Sequence, residues 1–174
     1  MFSREVYEKV GGFDEDLFLY HEDHDLSWRI RMMGWKLVAT SNSVCCHHYN
    51  FNKGILKFYR SEKNRLHILL KNFECKTLWL ISPALLLIEI SQIAHSIING
   101  WFYLKIKSYF EIAAQFIQIS RKRKKIQSSR RVPDSDIIKL YKATVEVSGL
   151  NNPFMDYLLN PILKIYWVCI RNWI

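Results

Sequence analysis

Residues 78–98 form a nearly uninterrupted apolar segment, and this segment constrains the fold more than any other feature of the chain. Its length is close to that needed to cross the hydrocarbon core of a bilayer. Glu89, Gln92 and His95 interrupt the segment at spacings of three, so a helix would place them on one face. We expect that face to be turned toward protein, a neighbouring helix or water.

A second apolar segment, 101–120, follows a plausible turn at 99–100. It contains Lys105, Lys107 and Glu111, which suit an interfacial or partly inserted amphipathic helix as well as a full crossing. The two segments either cross as a hairpin or both lie in the interface. In both cases the sequences before and after them emerge on the same side of the membrane.

Seven basic residues follow within 121–131, and the whole chain carries a formal net charge of +9. Such a charge suits nucleic acid, anionic lipid or phosphorylated substrates. The cluster contains no aromatic residue that could stack on bases, which argues against nucleic acid as a partner. A basic segment that contacts anionic membrane lipids is the simpler interpretation, and a solvated helical face is the alternative.

The C-terminal part of the chain predicts two further helices. Pro133 interrupts the chain and can start a short helix over 137–147 together with the polar residues that follow it. Segment 154–174 is apolar and aromatic but contains a proline and two basic residues. These features suit a membrane-surface helix or an ordinary packing helix better than a crossing.

The four cysteines, Cys45, Cys46, Cys75 and Cys169, form no Cys-x-x-Cys pair. The adjacent Cys45 and Cys46 cannot make an ordinary disulfide, so we expect a reducing environment. The run that continues from Cys46 into two histidines lacks the four-ligand spacing of a zinc finger.

The highest density of potentially functional side chains lies near the N-terminus. Residues 4–10 predict a helix that the glycine pair 11–12 stops, because glycine readily adopts left-handed backbone angles. A second helix is expected to begin near Glu22 or Asp23 with acids in its first turn, and to end at Gly34.

Each of these features also has an ordinary interpretation. Acids at the start of a helix are more often caps than catalysts, and the histidine pair 47–48, which follows a strand candidate at 36–40, is more often structural. What favours a site is the joint pattern, because two glycines, several carboxylates and an arginine are crowded into 11–29.

The runs GGFDE, LFLYHEDHDLSWRIRMMGWK and SVCCHHYNF resemble the C-terminal part of the catalytic domain of inverting family 2 glycosyltransferases, particularly the rhamnosyltransferase-like enzymes. The resemblance covers about residues 2–73 and implies an α/β fold, the GT-A fold. The remaining residues resemble the membrane-associated tails of some such enzymes. We therefore expect a GT-A fragment over 1–73, a membrane-associated helical hairpin with its basic segment over 74–131, and a helical tail over 132–174.

The resemblance also implies a chemistry, namely sugar transfer with inversion from a nucleotide-sugar donor to a lipid-linked or glycan acceptor. Asp23 matches the family's general base, and Glu22 would shape the same loop and contact acceptor. Asp25 and Arg29, four residues apart, would brace the helix, and His47 would contribute to a divalent metal site for Mg or Mn. The acceptor side would be lined by Gly11, Gly12, Phe13 and Asp14.

The sequence lacks the motifs with which such enzymes bind the donor: the chain contains no convincing Asp-x-Asp metal motif and no glycine-rich phosphate loop. We therefore expect a fragment that needs a separate N-terminal half for donor and metal binding. The alternative is a noncatalytic, membrane-associated remnant or subunit of a split glycosyltransferase. Either protein is expected at the cytoplasmic face of a membrane.

Overall fold

The computed structural model describes residues 3–38, 40–42, 44, 46, 54–144, 153 and 155–174. Of these residues, 74% lie in helices, and none lies in a β-strand. The predicted α/β fold is therefore wrong for the described part of the chain, which is all-helical. A sheet requires strands that pair with one another, and the described backbone instead makes its hydrogen bonds within helices.

The two N-terminal helices have the predicted limits. Helix α1 comprises Arg4–Val10, and Gly11 ends it in the left-handed region at φ 83°. A short 3-10 turn, Glu15–Leu17, leads to helix α2, which comprises Glu22–Met32. Gly34 follows with φ 87°. The glycines and the acidic helix start thus provide local stop and start signals that tertiary contacts do not override.

Six further helices complete the described fold. In chain order they are α3, Leu56–Asn72; α4, Cys75–Ile98; α5, Phe102–Ala114; α6, Phe116–Ser129; α7, Asp134–Ile137; and α8, Asn160–Ile170. A 3-10 turn, Ile138–Leu140, extends α7, and a π turn, Met155–Leu159, precedes α8. Helix α3 packs against α5 and α6, and α4 packs against α5 and α8.

Two local predictions are wrong. Segment 36–40 forms no strand at its described positions, and Val38 is 85% exposed with no partner strand beside it in the described chain. The helix expected over 137–147 is also wrong for its described part, because α7 ends at Ile137 and only the 3-10 turn follows within the described residues up to 144. Short apolar runs specify an element only when a partner covers them, and periodicity alone does not supply that partner.

Helix α6 carries most of the basic cluster, and part of that cluster is used inside the protein. Arg123 Nη1 donates to the backbone oxygens of Leu70 at 2.5 Å and Phe73 at 2.6 Å. Arg130 donates to the oxygen of Asn72 and pairs with Asp134 at 2.8 Å. Cations stabilise the free carbonyls at the C-terminus of a helix, here α3.

The remaining cations of the cluster differ in their surroundings. Lys122 pairs with Asp14 and Asp16, whereas four other basic side chains are exposed, namely Arg121, Lys124, Lys125 and Arg131. Three of the seven basic residues are thus committed to intramolecular contacts, and four are available to an external anion.

The main hydrophobic core joins the N-terminal helices to the C-terminal ones. Trp28, Met32 and Phe73 pack with Ile137 and Ile138, and the rings of Trp28 and Phe73 meet edge to face at 4.5 Å. The backbone N–H groups that follow α6 donate to the oxygen of Met32 at 2.8 and 3.0 Å. This closure holds the C-terminal half of α2 against the rest of the molecule.

Candidate active site

The loop before α2 has an unusual backbone. Leu19, Tyr20 and His21 are consecutive non-glycine residues in the left-handed region, with φ values of 64°, 77° and 66°. Each such residue costs about 1 to 3 kcal/mol, so this conformation persists only where the surroundings hold it. Strained loops of this kind are concentrated at functional sites.

Helix α3 supplies the groups that hold this loop. Asn64 Nδ2 donates to the backbone oxygen of Leu19 at 3.1 Å and to that of Tyr20 at 2.8 Å. The Nε2 atom of His21 lies 3.0 Å from Ser61 Oγ. Asn64 is almost completely buried. The loop therefore presents the start of α2 in one fixed orientation relative to α3.

Glu22 and Asp23 occupy the first turn of α2. Asp23 is exposed, and its Oδ1 accepts a hydrogen bond of 2.7 Å from the backbone N–H of His24. Glu22 is half-buried, and its Oε2 atom is buried with no hydrogen-bond partner in the described part of the protein. The two predicted catalytic carboxylates are therefore adjacent but differ in surroundings: one is open to solvent, and the other has an unused acceptor.

Two histidines lie beside these carboxylates. Burial, the neighbouring His24 and Arg65 lower the pKa of His21, and nearby carboxylates only partly oppose them. Burial also lowers the pKa of His24, against the opposing charges of Asp23 and Asp25. His24 Nε2 lies 3.0 Å from the hydroxyl of Tyr141. Both imidazoles are thus mainly neutral near pH 7 and can accept or relay a proton.

Asp25 and Arg29 form the predicted pair and link three parts of the fold. Their side chains are buried and 2.8 Å apart. Arg29 also donates to the backbone oxygens of Val10 at 2.5 Å and Gly12 at 2.7 Å. On its other side, Asp25 accepts from Asn72 Nδ2 at 2.8 Å. These bonds fix the glycine turn after α1 against α2 and α3.

The predicted acceptor-side residues are not equally accessible. Gly11 and Phe13 are exposed, and Phe13 retains 46% of its surface, whereas Gly12 is buried against the ring of Tyr7. Asp14 is nearly covered, and its two oxygens bind the ammonium groups of Lys71 and Lys122. A role of Asp14 in sugar binding remains a prediction, and such a role would require its carboxylate to be shared with these lysines.

Asp14 lies close to several charged side chains. Burial alone would raise the pKa of Asp14, but the nearby Lys71 and Lys122 ammoniums outweigh burial and hold it well below its usual range. Lys71 also lies 2.9 Å from Asp25, so it bridges the two carboxylates. Lys71 itself is fully buried. A buried lysine between two aspartates satisfies charges that would otherwise be costly inside the protein.

No metal site is formed by the described residues, since no group of three or more histidine, cysteine or acidic side chains is close enough to hold an ion. Asp14 and Asp25 are occupied by lysine and arginine partners. His47, the predicted metal ligand, and His48 lie outside the described residues. The described side chains therefore do not fit a divalent metal, and we derive no chemical step through one.

Several residues of this region were not identified from the sequence. Asn64 and Lys71 are seven positions apart on α3, so they share one face two turns apart, and both are almost fully buried. The signal that could have identified them was this recurrence of polar residues on a helix face that also packs against the rest of the protein. Tyr141, which reaches His24 from far along the chain, left no comparable signal.

One segment of the chain has local sequence similarity to a known enzyme. A 51-residue segment, 29% of this chain, is 39% identical to N-acetylglucosaminyl-diphospho-decaprenol L-rhamnosyltransferase of Mycobacterium tuberculosis, in strain CDC 1551 / Oshkosh and in strain ATCC 25618 / H37Rv. The similarity is to a glycosyltransferase. This chain spans only 17% of the length of these curated relatives. No family model matches the chain, and no solved structure matches it significantly.

Proposed function

We propose that this chain provides the acceptor side of an inverting glycosyltransferase, with Asp23 as general base. The observation that carries the proposal is the loop 19–21, which holds Glu22 and Asp23 at the start of α2 in a strained and clamped conformation. The similarity to a rhamnosyltransferase supports the reaction class.

The proposed step is proton transfer during attack by the acceptor. The Asp23 carboxylate takes the proton of an acceptor hydroxyl while the hydroxyl oxygen forms the new bond to the anomeric carbon of the donor sugar. On the opposite face, the bond between that carbon and the diphosphate oxygen breaks, and the nucleoside diphosphate leaves with the electron pair. In this proposal Glu22 accepts a hydrogen bond from another acceptor hydroxyl, a role supported by its Oε2, which has no partner among the described side chains.

The proposed substrates are a nucleotide-sugar donor and a lipid-linked or glycan acceptor. The relative's name specifies a sugar diphosphate on decaprenol, which supports a lipid-linked acceptor here. We propose that a separate donor-binding half binds the donor and its Mg or Mn ion.

A noncatalytic membrane-associated subunit is the second candidate. The occupied carboxylate of Asp14 favours it, because two lysines already use the group that the resemblance assigns to acceptor sugars. Under this alternative Asp23 would be an ordinary first-turn acid. Its replacement would then leave sugar transfer unchanged.

The two candidates are distinguished by Asp23→Asn. Sugar transfer to lipid extract is measured in membranes that contain this chain and a donor-binding half, with saturating nucleotide sugar. A positioned base contributes about 10² to 10⁴-fold, so we expect a loss of that size with donor binding nearly intact. Asp136→Asn is the matched control, because Asp136 is also exposed but lies far along the chain in α7. A loss smaller than about tenfold for Asp23→Asn would remove it from the role of base.

A further inference from the structure

The polar face of α4 is bound to charged residues of the neighbouring helices. Glu89 pairs with Arg65 of α3 and lies 2.8 Å from Lys105 Nζ of α5. Gln92 Oε1 accepts from Lys105 at 2.7 Å and from Arg65 at 3.1 Å. Lys105 is fully buried in this cluster. The prediction that the polar residues of 78–98 face protein is thus confirmed.

His95, the third polar residue of this face, is also turned toward neighbouring residues of the protein. The His95 ring lies 5.9 Å from the ring of Trp101 and 6.2 Å from that of Phe58, which belongs to α3. Helix α4 is consequently attached to α3 and α5 near its C-terminal end as well as near Glu89. It cannot separate from α3 without breaking buried ion pairs.

A different face of α4 is exposed and apolar from Trp79 to Ile97. The exposed residues recur at spacings of three and four and are Trp79, Pro83, Leu86, Ile90, Ala94 and Ile97. Trp79 retains 81% of its surface and Leu86 62%. No charged residue occurs in 78–98 apart from Glu89, which faces inward. An apolar stripe of this length on a helix surface marks an interaction site.

By length and composition alone, α4 is the one helix among the described residues that could cross a membrane. The ion pairs argue against that orientation. Glu89 lies about 21 Å along the helix from Cys75, at about 1.5 Å per residue, and would reach the interior of a hydrocarbon core about 30 Å thick. Arg65 and Lys105 would enter with it, and so would the strongly polar helix α3. Hydrocarbon does not solvate such a set of charges.

We propose that α4 lies in the plane of an anionic membrane surface, with its apolar stripe at the boundary between headgroups and acyl chains, and does not cross the bilayer. Two features select lipid as the occupant. Four amphipathic aromatic side chains are largely exposed, namely Trp79, Tyr103, Tyr157 and Trp173. Such residues are typical of the membrane–water interface. Four exposed cations of the basic cluster complement anionic headgroups. This inference does not depend on sugar transfer.

If α4 lies in the surface plane, the turn after it is on the same side of the membrane as the residues before it. If α4 crosses the bilayer, the turn is on the opposite side. Asn99 is exposed in that turn, and Val38 is an exposed residue that precedes α4. In a background with all four cysteines replaced by serine, Asn99→Cys and Val38→Cys are each treated with a membrane-impermeant maleimide. The chain is expressed in bacteria, and sealed right-side-out and inside-out vesicles are compared.

If α4 lies in the surface plane, Asn99→Cys reacts in the same vesicle type as Val38→Cys, without permeabilisation. If α4 crosses, Asn99→Cys reacts only in the opposite vesicle type, and the proposal is overturned. Circular dichroism of the purified variants checks that both retain their helix content. The chain with all four cysteines replaced by serine and no added cysteine provides the background of labelling.

The occupant of the stripe is tested by Leu86→Asp. Purified chain is mixed with vesicles of phosphatidylglycerol and phosphatidylcholine, and bound protein is measured by flotation. We expect Leu86→Asp to reduce binding at least tenfold. Val38→Asp, which changes an exposed residue off the stripe, should bind like the wild type. Equal binding of Leu86→Asp and wild type, or a wild-type chain that self-associates and ignores vesicles, would overturn the proposal and assign the stripe to a protein.

Discussion

Stability should depend on pH through His67, which lies beside the Asp14 carboxylate. The His67 side chain is fully buried, and its Nε2 is 3.9 Å from Asp14 Oδ2. Neither ring nitrogen has a hydrogen-bond partner in the described part of the chain. Burial and the adjacent Lys71 ammonium lower the pKa of His67 from 6.5 to about 4, against the opposing charge of Asp14.

The sign follows from where the proton binds first. As pH falls below about 6.5, the unfolded chain protonates this histidine while the folded chain keeps it neutral, so the free energy of unfolding decreases. Stability from the neutral imidazole is complete above pH 6.5 and is lost as pH falls toward 4. At about 1.4 kcal/mol per pKa unit, the loss between pH 7.5 and 4.5 is about 2.5 kcal/mol.

The assay is urea unfolding in mild detergent, followed by tryptophan fluorescence at pH 7.5, 6.5, 5.5 and 4.5. His67→Phe and His67→Gln should each reduce the pH dependence by about 2.5 kcal/mol, whatever their absolute stability at pH 7.5. The contributions of His21 and His24, whose pKa values are also lowered, are present in all three proteins and cancel in the comparison. A wild-type chain and both variants with the same pH dependence would refute the reasoning.

Two further changes test the clamps around the site and around α4. Asn64→Ala removes two hydrogen bonds to the strained loop, so we expect a loss of about 2 kcal/mol in unfolding free energy and faster hydrogen exchange at 19–21; unchanged exchange would mean that the loop holds itself. Arg65 and the buried Lys105 pair with Glu62 as well as with Glu89. Glu89→Leu removes one of these two carboxylates, so we expect a loss of about 1 to 3 kcal/mol by urea unfolding. Ile90→Leu is the neighbouring exposed control, and equal stability of the two variants would contradict the buried pairing.

The sequence predicted those parts of the fold that local chemistry determines. The limits of α1 and α2 follow from Gly11, Gly34 and the acidic start at Glu22, and the inward face of α4 follows from the spacing of its polar residues. The ion pair of Asp25 and Arg29 follows from their spacing of four.

Local sequence patterns could not show that the predicted α/β fold class was wrong. A strand at 36–40 depends on a partner strand, and alternation over five residues does not show whether one exists. The basic cluster illustrates the same limit, because Arg123 and Arg130 cap α3 while Lys124, with the same charge, is exposed. The charge of a side chain does not show whether that side chain contacts another helix or solvent.

The candidate site was predicted in part. Glu22 and Asp23 lie adjacent at the start of α2, as the motif suggested, but their proposed roles still await a functional test. The left-handed loop was not predictable, because Leu19, Tyr20 and His21 rarely adopt such angles. Asn64 and Ser61 of α3 hold them there. The residues that hold the loop lie on α3, far along the chain, so the sequence near the loop does not reveal them.

An acceptor site at the start of α2 is tested most directly by photocrosslinking of a lipid-linked sugar to the purified chain. A polyprenyl-diphosphate sugar with a photoreactive group on the sugar is irradiated with the protein, and the modified residues are mapped by mass spectrometry. We expect saturable labelling within 19–24, competed by the unlabelled acceptor and reduced by Glu22→Gln. Labelling that is saturable only elsewhere in the chain, or that the unlabelled acceptor does not compete, would contradict an acceptor site at the start of α2.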